Sequence, residues 1–195
     1  MIFNETKLKG AFVITPERLE DERGFFARSF CLTEFSRYGL YPTIVQCNLS
    51  YNKKKGTFRG MHFQVAPYEE DKIVSCTQGS ILDVIVDLRP GSPTFKQWIA
   101  VELSAENRNI LYVPKSFANG FITLSDHTQV QYQMTQFYHA ESARGFRWDD
   151  PAFDIHIPFP VEAIAEKDKS FPAFSYPSIL YPSTRQKKSY EHHLS

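Results

Sequence analysis

Short apolar runs, broken at close intervals by turn-forming residues, set the pattern of the chain. Asp71–Thr77, Ser80–Leu88, Lys96–Leu103, Asn109–Val113, Phe121–Leu124 and Thr128–Phe137 each read as a strand. Gln78-Gly79, Arg89-Pro90-Gly91-Ser92-Pro93, Ala105-Glu106-Asn107, Pro114-Lys115 and Ser125-Asp126 separate them. Such residues turn a chain through positive φ, a locked φ or a side chain bonded to nearby backbone. Thr43–Leu49 is a mixed apolar run ending in polar residues. Helix signals are few. Leu32–Tyr38 predicts a turn or two with Thr33 as N-cap, and Ala163–Lys169 predicts another short helical piece. Many short strands without strand–helix alternation predict an all-β fold, an antiparallel jelly-roll sandwich or barrel with short peripheral helices. The same pattern disfavours a dinucleotide-binding α/β sheet. Past Phe153 the chain is punctuated by Pro158, Pro160, Pro172, Pro177 and Pro182. We expect one domain over residues 1–182 and a polar, loosely held tail over residues 183–195.

Composition narrows the function classes. With 195 residues and 42% apolar content, the chain can bury a real core. Lys plus Arg and Asp plus Glu are 22 each, so the formal charge is zero. That argues against nucleic acid as a partner, because a whole-surface basic footprint is missing. No apolar stretch approaches the roughly 20 residues that span a bilayer. MIFNETKLKG at the start lacks the apolar core of a secretion signal. Cys31, Cys47 and Cys76 are an odd count without CxxC spacing, which reads as reduced thiols in a cytoplasmic protein. Aromatic residues make up 15%. They suit a pleated core and equally a pocket that stacks a flat ligand.

Candidate chemistry concentrates in GTFRGMHFQ at 56–64. Arg59 and His62 lie three apart, which in a regular strand puts them on opposite faces. A twist or bulge at Gly60 would bring both to one cavity. Lys72, flanked by Ile73 and Val74, predicts a partly buried amine, which is costly without a partner or a task. Tyr132 and Tyr138 read either as core and edge aromatics or as phenols that donate a proton or stack a base. Small β-barrels of the cupin type often hold metal through a tight histidine pair plus a carboxylate, but the neighbours of His62 at 60 and 64 are Gly and Gln. His127 sits in a turn, and His192-His193 at the end of the chain offer only two ligands. No metal is expected.

The sequence also resembles a known family. DERGFF at 21–26, FRGMHFQ at 58–64, DKIVSC at 71–76, DVIVDLRPGSPTF at 83–95, YVPKSFANGF at 112–121, YQMTQFY at 132–138, WDDP at 148–151 and EKD at 166–168 are similar to motifs of the dTDP-4-dehydrorhamnose 3,5-epimerases, in unbroken order over roughly residues 8–170. The resemblance implies a metal- and cofactor-independent cupin-like jelly roll, a homodimer that exchanges N-terminal strands, and a nucleoside-diphosphate 4-keto-6-deoxyhexose as substrate. It implies His62 as the base, Asp168 as the carboxylate that orients it, Lys72 at the enolate oxygen and Tyr132 as the acid, with Tyr138 a rival near the nucleotide. Arg23, Phe26, Gln46, Asn48, Arg59 and Lys167 match positions that line the nucleotide and diphosphate. Two positions depart from the family pattern. Asn119 stands where the family commonly has His. Arg28 stands where it commonly has a Glu that touches the base; it either enters the base pocket, favouring a base such as cytosine, or turns outward to pair with an acid. The resemblance is compatible with epimerisation at C3, C5 or both, with a CDP- or GDP-linked sugar, and with an idle sugar-nucleotide-binding cupin.

Overall fold

The structure, a computed structural model, describes residues 1–180. The chain opens with β1 (Ile2–Glu5), β2 (Phe12–Thr15), β3 (Arg18–Asp21), β4 (Gly24–Ala27) and α1 (Leu32–Ser36). The central strands are β5 (Gln46–Asn52), β6 (Thr57–Gln64), β7 (Lys72–Gln78), β8 (Ser80–Asp87), β9 (Trp98–Ser104), β10 (Ile110–Val113), β11 (Phe117–Thr123) and β12 (Thr128–Met134). β13 (Ala143–Gly145), β14 (Ala163–Ile164) and α2 (Glu166–Lys169) follow. Two sheets form the sandwich. One runs β1-β2-β10-β7-β12-β5 and the other β13-β6-β11-β8-β9, with β14 added to β6. β3 and β4 make a separate two-stranded ribbon.

Alternation along the strands explains the layering. On β7, Lys72, Val74 and Cys76 share one face, and on β8 Ile81, Asp83 and Ile85 do. Val74, Cys76, Ile81 and Ile85 join Leu111, Phe117, Phe121 and Val130 in the core between the sheets. Lys72 and Asp83 are therefore polar members of inward-facing rows. The opposite face of the second sheet packs Phe58, Met61, Val84, Val86 and Ile122 under Phe146 and Phe153 from the proline-rich stretch. The outer face of the first sheet is covered by α1 through Phe35, against Phe3, Ile73 and Tyr112.

The predicted strands are present with shifted ends, each for a local reason. β9 starts at Trp98 rather than Lys96, because Lys96 takes a left-handed φ of 66°. β11 begins at Phe117, directly after the left-handed Ser116. β12 stops at Met134, where Thr135 turns its hydroxyl to accept from the Asp71 amide. Helix α1 corrects one expectation. Its N-cap is Cys31, without a side-chain cap hydrogen bond, and Thr33 lies inside the helix. The helix stands on the burial of Phe35 and on Glu34, which accepts from the chain's amino group. The tail over residues 183–195, with His192 and His193, lies outside the described residues.

Candidate active site

A cavity of about 910 Å³ opens between the two sheets. It begins with a backbone irregularity. Asn119 pairs with His62 but Phe121 pairs with Arg59, so β6 carries one residue more than β11 across this step. Gly60 lies in the bulge with φ 140°, and a Cβ there would stand 2.5 Å from Gly120 Cα. Only glycine tolerates both the angle and the approach. The extra residue turns Arg59 and His62, which a regular strand would hold on opposite faces, into the same cavity.

Asp168 reaches His62 from far along the chain. β14 pairs in parallel with β6, Ala163 against Thr57 and Ile164 against Phe58, and this sets α2 beside the bulge. Asp168 Oδ1 lies 2.7 Å from His62 Nε2, and its Oδ2 accepts from the Gly60 amide at 3.2 Å. Burial pushes the Asp168 carboxyl up, but the His62 hydrogen bond and charge, the Gly60 N–H and Lys167 together hold it below the ordinary carboxylate value. Phe171 packs edge-on against the imidazole at 5.8 Å. With Nε2 held by Asp168, Nδ1 is the nitrogen left to face a ligand.

The other wall comes from the first sheet. Lys72 is buried and lies 3.3 Å from Glu70 Oε1, with a weaker donation to the His62 carbonyl at 3.4 Å. Tyr132 stands on β12 between Asn48 of β5 and Val74 of β7. Asn48 and Gln46 are tied together, Gln46 Nε2 donating to Asn48 Oδ1 at 3.2 Å, and Gln46 Oε1 accepts from the Tyr138 amide at 3.3 Å. Arg59 is braced by Asn52 at 2.7 Å.

The cavity thus gathers Gln46, Asn48, Arg59, His62, Lys72, Asn119, Tyr132, Tyr138, Lys167 and Asp168. It does not gather Arg23, Phe26 or Arg28 of the same chain. Arg23 pairs with Asp21 on the β3–β4 ribbon, and Phe26 is 70% exposed there. Arg28 donates to Glu34 Oε1 at 2.8 Å, so of the two orientations open to it, it takes the outward, acid-paired one.

Two buried carboxyls at Lys72 went unnoticed in the sequence. Glu70 and Asp83 each have one oxygen with no partner among the described residues. Asp83 accepts from Asn119 Nδ2 at 2.6 Å. Its pKa is pushed up to about 7 by burial, against the Asn119 hydrogen bond, the Lys72 charge and the Val84 amide. A signal for both existed: Glu70 is two residues before Lys72, and Asp83 sits between Ile81 and Ile85 in a row that faces inward. Arg144 and Phe171 also line the cavity, and nothing in their sequence surroundings marks them. Among the described residues no three His, Cys, Asp or Glu side chains converge as metal ligands, and no helix is long and apolar enough to cross a membrane.

The arrangement can do one thing well. An imidazole with a carboxylate behind it faces, across a gap between two sheets, a phenol and an ammonium. Base and acid on opposite walls suit removal of a proton from one side of a carbon and its return from the other. Arg59, Lys167 and Arg144 also line the cavity and bring cationic groups suited to an anionic ligand.

Comparison with known proteins points the same way. The family model described as dTDP-4-dehydrorhamnose 3,5-epimerase matches residues 5–176. A protein of that name from Sinorhizobium fredii is 41% identical over 174 residues, covering 89% of each chain. The crystal structure of a dTDP-4-dehydrorhamnose 3,5-epimerase from Bacillus anthracis, with TDP and PPi bound, superposes with a TM-score of 0.86 at 40% identity, over 89% of this chain and 99% of that one. A dTDP-6-deoxy-D-glucose-3,5-epimerase from Legionella pneumophila, in complex with dTDP-4-keto-L-rhamnose, gives a TM-score of 0.83 at 36% identity, over 88% and 92%.

Proposed function

The chain belongs to the dTDP-4-dehydrorhamnose 3,5-epimerase family, and from that premise we propose how its residues carry the reaction. The protein is an isomerase of a nucleotide-linked 4-keto-6-deoxyhexose, with dTDP-4-dehydro-6-deoxyglucose as substrate. The C4 ketone acidifies the hydrogens on C3 and C5. His62 removes one through Nδ1, and Asp168 stabilises the imidazolium that forms, as the carboxylate of a catalytic triad does. The electron pair moves onto O4, where the Lys72 ammonium holds the enolate in a water-poor pocket. Tyr132 returns a proton from the facing wall and the carbon inverts. Atoms and electrons balance without an oxidant. Arg59 and Lys167 hold the diphosphate, while Gln46, Asn48 and Tyr138 line the nucleotide.

Arg23 and Phe26 fit this reading only in a homodimer. The β3–β4 ribbon holds Leu19, Phe25 and Phe26 exposed, and an exchanged N-terminal segment carries Arg23 and Phe26 to the cavity of a second copy. Arg28, occupied by Glu34, sets no donor against thymine N3–H, which supports the thymidine nucleotide over cytidine.

The observation that carries the proposal is the His62–Asp168 pair on one wall with Lys72 and Tyr132 on the other. The test is proton NMR of dTDP-4-dehydro-6-deoxyglucose in D2O with the enzyme. Deuterium is expected at C3 and C5 of the product. Absence of exchange at both carbons would overturn the reading.

A further inference from the structure

Asn119 is placed beside the base, directly across from His62 in the β6–β11 pairing. Its side-chain nitrogen donates to Asp83 Oδ1 at 2.6 Å and, more weakly, to the Val84 carbonyl at 3.4 Å. Both amide hydrogens are therefore directed into the protein wall. The amide oxygen has no partner among the described residues, and Asn119 lines the cavity. Turning the amide over would set that oxygen against the Val84 carbonyl, which can only accept, and would lose both donations wherever the Asp83 carboxyl is ionised. Val84 and the ionised form of the buried Asp83 hold the amide as it stands. The cavity meets an acceptor at this position.

An acceptor selects its ligand group by elimination. On the reading above, the reacting end of the sugar carries a ketone oxygen, a ring oxygen and a methyl group, none of which donates. The phosphates accept and are anionic. Only the C2 and C3 hydroxyls donate. Asn119 neighbours His62, which takes the C3 hydrogen, and it bonds the carboxyl that feels the charge of Lys72, the residue assigned to O4. The donor between those two points is the C3 hydroxyl.

We propose that Asn119, oriented by Asp83, accepts a hydrogen bond from the C3 hydroxyl of the sugar and so sets the balance between epimerisation at C3 and at C5. A hydroxyl held in the plane of the ring stands the C3–H upright against the ketone π system, the alignment in which its removal yields an enolate. C5 bears no donor, so the contact acts on the C3 step alone. Asn119 is then a specificity-determining residue and Asp83 a positioning residue.

This inference rests on the reaction assigned under Proposed function, and the test separates the two. Deuterium incorporation at each carbon is measured by NMR for wild type, Asn119→Ser and Asp83→Asn, with dTDP-4-dehydro-6-deoxyglucose as substrate. The C3:C5 ratio is expected to fall about tenfold in Asn119→Ser, the worth of one lost hydrogen bond, and by about threefold in Asp83→Asn, where the amide is free to turn over. A second measurement needs no variant. Wild-type protein should bind the 3-deoxy analogue of the substrate about tenfold more weakly than the substrate itself. An unchanged C3:C5 ratio in variants that unfold at the wild-type temperature, or equal affinity for the 3-deoxy analogue, overturns the role of Asn119 while leaving the reaction intact. Wild-type protein that exchanges neither hydrogen overturns the reaction and this inference with it.

Discussion

Two carboxyl groups at this site, Asp168 lining the cavity and Asp83 buried behind Asn119, are shifted in opposite directions. Asp168 is 4% exposed and Asp83 is fully buried. Asp168 meets an imidazole, a backbone N–H and a nearby lysine, and its pKa lies below the ordinary value. Asp83 meets one amide group, one backbone N–H and a lysine charge already engaged by Glu70, and its pKa rises to about 7. Depth of burial and the donors that come with it together set the charge: Asp83 is deeper and has fewer donors. The wall carrying His62 holds an ionised carboxylate behind the imidazole. On the other wall, the Lys72 ammonium meets Glu70 at 3.3 Å and acts on the charge of Asp83 from the facing sheet, so its capacity to hold the proposed enolate depends on Glu70 and Asp83 not taking all of the lysine's charge.

Breaking that second wall should have the largest effect among changes that spare the base. Lys72→Met keeps the length of the side chain and removes the charge. We expect kcat/KM to fall on the order of 10²–10³-fold, the cost of losing one preorganised oxyanion contact. A loss below about fivefold in a folded variant would mean that another group holds O4. Steady-state kinetics on the 4-keto substrate reads this directly.

Asp168→Asn tests the first wall. The ring stays packed against Phe171, but the charge that stabilises imidazolium is gone, and we expect a loss on the order of 10²-fold in kcat, less than for a triad whose tautomer is also reversed. Stability carries a second signature. Because the folded-state pKa of Asp168 is depressed, its contribution is present above the unfolded value near 4 and is lost as pH falls through the folded one. The stability gap between wild type and Asp168→Asn should close on acidification; a constant gap from pH 7 to pH 3 would contradict the pairing with His62.

Asp83 has the opposite sign and the smallest effect. The folded protein keeps its proton to about pH 7, whereas the unfolded chain releases it near 4. Between those values the folded state binds one proton more, so stability falls as pH rises from about 4 to about 7 and the loss is complete above that. Asp83→Asn should remove this dependence. From pH 5 to pH 8, calorimetry is expected to show wild type losing about 2–3 kcal/mol more than the variant. Parallel curves would place Asp83 among ordinary carboxylates and erase the contrast with Asp168.

The sequence carried the sandwich and half of the site for different reasons. Period-two alternation on β7 and β8 exposes the core rows, and the same alternation shows Lys72 entering one. The odd spacing of Arg59 and His62 reaches one cavity only through a twist or bulge at Gly60, and the β6–β11 register contains the bulge. Asp168 had no such signal. Its place depends on a parallel pairing of two residues, β14 against β6, too short for any periodicity, and only resemblance to a family singled it out. Strands β3 and β4 were missed because they are largely exposed and show no buried alternation, whereas β2 does alternate, with Phe12 and Ile14 buried, over only four residues. Glu70 and Asp83 were legible in pattern and passed over, since a charged residue inside an apolar run reads first as an interruption of the strand.

The central claim is that His62, backed by Asp168, takes the proton in every turnover. Deuterium incorporation at C3 and C5 in D2O, followed by NMR with wild type and with a His62→Ala variant of matched thermal stability, tests it most directly. The account predicts that exchange at both carbons falls 10²–10⁴-fold or more in the variant. A folded His62→Ala protein that exchanges either hydrogen at close to the wild-type rate would contradict it.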